Sequence, residues 1–226
     1  MTISGTTPRE VSLDAILQAR AAIAPAVRVT PVWPSQTLEQ LCGVPVLLKC
    51  EQMQFTGSFK VRGATNFVRQ LSAEQRSQGL VAASAGNHAQ GLALAGSRAG
   101  IDVTVVMPLI APLAKANATR EHGARVVLHG NSLEDARTEA QRIAGSEGRI
   151  YVPPFDNDAV IAGQGTLGLE ILEQAPGAEE IIVPAGGGGL LAGVAVAVKS
   201  TRPAVRVVGV QASAMDGICR SFAAGR

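Results

Sequence analysis

EEIIVPAGGGGLLAGVAVAVKS, residues 179–200, is the stretch whose reading decides the fold. Ile181 to Val198 carries no charge over 18 residues, near the length of a membrane span. Pro184 and the run Gly186, Gly187, Gly188, Gly189 lie inside it. An uninterrupted helix would lose about 1 kcal/mol for each interior Gly and about 3 for the Pro. Strand, turn, helix is the reading that fits. Working outward, strand-like runs recur at 46–51, 80–84, 103–107, 125–128 and 205–211. Ala-rich segments with helical spacing lie between them, at 63–71, 88–99, 111–122, 133–144 and 190–200. An opening helix is expected from Ser12, a good N-cap, to Ala24, ended by Pro25. This alternation predicts a parallel sheet with helices on both faces.

Composition agrees. With 226 residues the chain is one large domain or two compact lobes, long enough to bury a core. Charged residues make up 17% and hydrophobic ones 46%, which excludes global disorder. Twenty-five glycines suit closely packed α/β layers. Five Phe, one Tyr and one Trp make a poor stacking platform for single-stranded nucleic acid. A net charge of +2 with no basic block implies neither nucleic acid nor an anionic membrane as partner. Cys42, Cys50 and Cys219 are scattered, so neither a disulfide framework nor a structural metal site is expected, and a reducing cytoplasm is the default. MTISGTTPRE at the start shows no signal-peptide pattern.

Three loops carry candidate chemistry. Four glycines between a strand and a helix leave backbone N–H groups uncovered at a positive helix end, which is an anion site and most naturally a phosphate site. A tight β–α turn needs only one or two. No G-K-[ST] follows, so this is not a P-loop. Gly187, Gly189 and Ala192 formally match a dinucleotide fingerprint. That motif needs an acid at the end of the next strand, where Gln211 stands. The second loop is Ser84, Ala85, Gly86, Asn87, His88. Its N–H groups and side chains suit a carboxylate, and an ordinary helix start capped by Ser84 or Asn87 accounts for it equally well. His88 by itself reads as a structural histidine. The third loop, TGSFK at 56–60, sets Lys60 between Phe59 and Val61 at a helix start. Most lysines are solvated surface charges. A desolvated one has a depressed pKa and can form a Schiff base. A Schiff-base lysine, a phosphate cup and a carboxylate loop together suggest pyridoxal phosphate.

Four motifs extend this. KCEQMQFTGSFKVRGA (49–64), SAGNHAQG (84–91), VPPFDNDAVIAGQGTL (152–167) and VPAGGGGLLA (183–192) resemble the fold-type II pyridoxal-phosphate enzymes. Within them the chain is similar to the short, catabolic threonine dehydratases (threonine ammonia-lyases), through nearly all of its length. The resemblance implies a two-lobed α/β fold of the tryptophan-synthase-β type, with twisted, mostly parallel sheets flanked by helices. Residues 52–154 are expected to form a small lobe, and 1–51 with 155–226 a larger cofactor-binding lobe. It implies that Lys60 holds the cofactor and shuttles the substrate α-proton. Phe59 would pack on the pyridine ring and Asn87 would bond the 3-oxygen. Gly186, Gly187, Gly188, Gly189 and the Leu190 N–H would take the phosphate. Ser84, Ala85, Gly86, Asn87 and His88 would form the substrate-carboxylate loop.

The implied reaction is β-elimination from L-threonine to 2-oxobutanoate and ammonia, with L-serine slower, in a cytoplasmic homo-oligomer. Serine racemisation and broader hydroxy-amino-acid dehydration are the neighbouring activities. Racemases carry a second serine where this chain has Ala85, and a polar residue where it has Phe155. Their divalent-metal site also looks degraded here, with Gln211 at a Glu position. Family members continue past Arg226, so the large lobe is expected to be incomplete and its sheet uncovered beyond 205–211. A fragment without turnover is the alternative from outside the enzymes.

Overall fold

The computed structural model describes residues 11–225; the first ten residues, read above for a leader, lie outside them. Ser12 caps α1 (Leu13–Ile23) by accepting from the Ala15 N–H, and a 3-10 turn containing Pro25 ends it. β1 (Val32–Pro34) and β2 (Leu47–Lys49) pair antiparallel around α2 (Gln36–Cys42). Then come α3 (Lys60–Arg69), α4 (Ala73–Ser77), β3 (Leu80–Ala83), α5 (Asn87–Arg98), β4 (Val103–Met107), α6 (Leu113–Glu121), β5 (Arg125–Leu128), α7 (Leu133–Glu147) and β6 (Ile150–Tyr151). The chain continues through α8 (Asp158–Gln174), β7 (Glu180–Pro184), α9 (Gly189–Thr201), β8 (Arg206–Val210) and α10 (Gly217–Ala223).

Sheet β5-β4-β3-β6 is parallel throughout. Every residue of β3 and β4 is buried, as a parallel sheet covered on both faces requires. On one face Ala136, Ala140 and Ile143 of α7 pack on Val81, Ala83 and Val106. On the other, Ala89, Leu92 and Ala93 of α5 pack on Leu80, Ala82, Val103 and Val105. β7 and β8 form a separate parallel pair. β7 alternates, with Ile181 and Val183 packed among Val194 and Val198 of α9 while Ile182 is exposed.

The mostly parallel sheets expected are found: of three sheets among the described residues two are parallel, and the first, a short pair, is antiparallel. The strand expected at 46–51 is three residues long, because Glu51 opens a 3-10 turn and buries its carboxylate. The helix expected from Gly63 begins at Lys60. The longest of the elements that sequence periodicity did not supply is α8. It holds Gly163, Gly165 and Gly168, which argue against a helix on propensity alone. They are close-approach positions. A Cβ on Gly163 would stand 2.6 Å from Gly63 Cα, and one on Gly165 2.9 Å from the Gly193 carbonyl. α8 therefore lies directly on α3 and α9, the two helices that start at the candidate site.

Candidate active site

Lys60 opens α3 immediately after Phe59, and its side chain is partly buried. Its ammonium donates to the Pro154 carbonyl at 2.6 Å and pairs with no carboxylate among the described residues. Burial pushes it down to about 8. A neutral carbonyl does not repay desolvation of a cation as a carboxylate does. The Lys60 amine is therefore partly neutral near physiological pH.

β7 hands over to the glycine turn. The Ala185 N–H donates to Val210 at 2.8 Å and fixes the strand end against β8. Gly188 has φ +88, a conformation that L side chains rarely adopt, and α9 starts at Gly189. The turn and Lys60 line one cavity of about 120 Å³, together with Phe59, Pro154, Phe155 and Gln164. The Phe155 ring stands on Gly187 so closely that a Cβ there would enter it. Gly186, by contrast, has open space where a Cβ would stand. Leu190, in the first turn of α9, also lines the cavity.

The 84–88 loop leaves β3 beside this site rather than lining that cavity. The Gly86 N–H donates to Ser84 Oγ at 3.2 Å. Neither Ser84 nor Asn87 caps α5: the N-cap is Gly86, with no side-chain bond, and Asn87 is exposed. Ala85 is half-buried. His88 is buried, and its Nε2 lies 3.2 Å from the Val152 carbonyl. Burial, then the nearby Lys60 charge, pushes it down to about 4, so it is neutral at physiological pH. That fits the structural reading of His88, and the mutual charge effect sets it near Lys60.

Sequence reasoning missed the ionic cluster two residues beyond Lys60. Arg62 is fully buried and forks onto two carboxylates. It donates to Glu51 at 2.8 Å from Nε and Nη2, and to Glu170 at 2.6 Å from Nη1 and 3.0 Å from Nη2. Lys49 adds a second cation to Glu170 at 2.6 Å, and Thr30 Oγ1 donates to Glu51 at 2.5 Å. Burial opposes the Arg62 charge, but the bonds to Glu51 and Glu170 outweigh it and leave its pKa raised. The cluster ties α3 to α8 and to the turn after β2. The available signal was a lone Glu170 within the apolar pattern LGLEIL.

These residues fit pyridoxal phosphate on three counts. A desolvated amine is available for the aldehyde. A helix start with a side-chain-free turn lines the same cavity, suited to a phosphate. The hydroxyls of Thr56 and Ser58, in the loop leading to Lys60, are buried without a partner, and such polar atoms call for one. Among the described residues no group of three or more His, Cys, Asp or Glu is arranged to hold a metal, and no helix is long and apolar enough to cross a membrane.

Comparison with known proteins agrees with this chemistry. The chain is 48% identical over 222 residues to a catabolic L-threonine dehydratase of Staphylococcus aureus, covering 98% of this chain and 64% of that one. It therefore spans somewhat less than two thirds of the length of the curated relatives it matches. Among solved structures, maize serine racemase superposes with a TM-score of 0.92 at 38% identity, over 96% of this chain and 66% of that one. The processed form of threonine deaminase isoform 2 from Solanum lycopersicum superposes with a TM-score of 0.91 at 37% identity, over 99% and 61%. The model of the family described as pyridoxal-phosphate dependent enzyme matches residues 23–226. With that match across the Lys60 loop and the glycine turn alike, the chain belongs to the pyridoxal-phosphate dependent enzymes.

Proposed function

We propose that this chain carries the cofactor site of an ammonia-lyase that eliminates water from L-threonine, with L-serine as a slower substrate. The observation that carries the reading is one cavity holding both the desolvated Lys60 amine and the side-chain-free turn at the start of α9. The name of the Staphylococcus aureus relative supports threonine as substrate. On this reading residues 52–154 make the small lobe, and 1–51 with 155–226 the larger one. The cytoplasmic homo-oligomer rests on the same likeness.

Bound pyridoxal phosphate would supply an electron sink for the substrate's α-carbanion. The chain's residues do the rest. Lys60 holds the cofactor at its Nζ. As a free amine that Nζ would take the substrate α-proton, and a pKa of about 8 suits it to do so near neutral pH. The N–H groups of Gly186, Gly187, Gly188, Gly189 and Leu190 bind the phosphate. Phe59 supports the ring from the residue before Lys60, and Asn87 bonds the 3-oxygen. The loop from Ser84 to His88 holds the substrate carboxylate, and buried, neutral His88 adds no charge there. The α-proton and the β-hydroxyl would leave the substrate together as water, and the resulting enamine takes up water to give a 2-oxo acid and ammonia.

The test follows visible absorption and 2-oxobutanoate formation from L-threonine. A band that appears with pyridoxal phosphate, changes on adding threonine and is absent in Lys60→Ala supports the reading. Product formation unchanged in Lys60→Ala contradicts it. Racemisation is the second reading, because maize serine racemase superposes so well. Ala85 has no transferable proton for the opposite face, so elimination should exceed D-serine formation at least tenfold. Ala85→Ser should add measurable D-serine. Near-equal rates in the unsubstituted chain would favour the racemase.

A further inference from the structure

A cavity larger than the one at Lys60 lies away from it. It is a groove of about 440 Å³ at the opposite ends of α3 and α5, closed by α4 and by Ala26. Val68, Ala95 and Ala99 give it an apolar floor, and Arg69, Arg76 and Arg98 stand around it. No acidic residue lines it, and neither α3 nor α5 contains one. Most other arginines are neutralised: Arg20, Arg62, Arg125, Arg137, Arg142, Arg149, Arg206 and Arg220 each pair with a carboxylate, while Arg120 and Arg202, which stand apart from one another, bond Asn117 and the Pro176 carbonyl. Among the described residues Arg69, Arg76 and Arg98 pair with no carboxylate. Arg28 is also without a carboxylate, and it shares the two sides of Phe55 with Arg98, at 4.2 and 4.4 Å from the ring centroid.

Two of the three guanidinium groups are held in place, and none is neutralised by a described carboxylate. Arg98 Nη1 donates to the Ala26 carbonyl at 2.8 Å, and Arg76 Nε to the Leu71 carbonyl at 3.1 Å. The Arg69 side chain makes no hydrogen bond with a described residue. Backbone carbonyls fix a guanidinium without cancelling its charge, and each fork has five donors, most of them still free here. Some of this placement serves the helix ends, whose carbonyls attract cations. Helix-end complementarity does not by itself gather three arginines from three helices around one concave, apolar-floored space.

We propose that this groove binds a small molecule bearing a phosphate or pyrophosphate group, with its oxygens among Arg69, Arg76 and Arg98 and its carbon body on Val68, Ala95 and Ala99. A carboxylate accepts one fork well. Three guanidinium groups lining one groove outnumber what one carboxylate can answer, whereas a phosphate offers oxygens on several faces. The site is separate from the glycine turn that shares a cavity with Lys60. It sits on the far ends of the two helices whose first residues are Lys60 and Asn87.

The experiment titrates sodium pyrophosphate into the full chain already saturated with pyridoxal phosphate, by calorimetry. One saturable site is expected, weakening as sodium chloride is raised. Arg69→Gln should weaken it at least tenfold, and Arg120→Gln, which lies away from the groove, should change it less than twofold. Arg69 is chosen because it is exposed and its side chain makes no hydrogen bond or ion pair with a described residue, and circular dichroism checks that the variant is folded. Absence of binding, binding indifferent to Arg69→Gln, or tighter binding of succinate than of pyrophosphate would each overturn the proposal.

Discussion

Lys60 and Arg62 are two cations in the first turn of one helix, both withdrawn from water, and their surroundings push them in opposite directions. Lys60 meets a neutral carbonyl and falls to about 8. Arg62 meets two carboxylates and becomes harder to deprotonate. The difference teaches how one helix start serves two ends. Burial alone makes an amine available for chemistry; burial with full ionic pairing makes a fastening. The fastened residue holds α3 against α8, so the first turn that presents Lys60 is fixed from beneath.

The comparison can be broken most forcefully at Arg62. Arg62→Met leaves Glu51 and Glu170 buried with only Lys49 in compensation, which should cost about 3–5 kcal/mol. That is a large share of the roughly 5–15 kcal/mol that holds a domain together. Urea unfolding should show it as a lowered midpoint, and a loss below about 1 kcal/mol would remove the fastening role.

Giving Lys60 what Arg62 has is the next step. Gln164 lines the same cavity and accepts from the Gly63 N–H at 3.2 Å through its side-chain oxygen, a bond that Glu retains. Gln164→Glu should raise the Lys60 titration midpoint from about 8 to about 9 or more. Competitive labelling of the amine against pH reads this directly. An unmoved midpoint would mean that Lys60 is not governed by its lack of an anionic partner.

The smallest effect concerns stability. The folded pKa of Lys60 is depressed from an ordinary 10.5 to about 8. Between these values the unfolded chain binds more protons than the folded one, so this group makes stability rise with pH across that window. Lys60→Met should raise the Tm at pH 7 by a few degrees and by less at pH 10. A lowered Tm at pH 7 would show that the ammonium is well accommodated.

Much of this was legible in the sequence, for physical reasons that differ by region. β4 and β5 coincide with their expected ranges, and β3 lacks only its last expected residue. Buried parallel strands are continuous apolar runs, which carry a clear signal. The glycine turn was legible because a helix cannot absorb Pro184 and four glycines. α8 was not, because its glycines look like helix breakers until the helices that approach them are known. β1 is too short for a periodic pattern, and β2 was expected but is shorter than its apolar run. The Arg62 cluster joins residues 51, 62 and 170, and no local rule connects positions that far apart. Lys60 stood out only beside its two companion loops, and its burial is a property of α3 meeting the segment around Pro154.

Borohydride reduction of the chain saturated with pyridoxal phosphate, followed by peptide mapping, tests the central claim most directly. Reduction fixes the cofactor to whichever lysine holds it. The account predicts a single labelled residue, Lys60, with Lys49 spared because it is paired with Glu170 and with Thr30 and Gln174. Labelling at Lys49, Lys115 or Lys199 with Lys60 unmodified would contradict it.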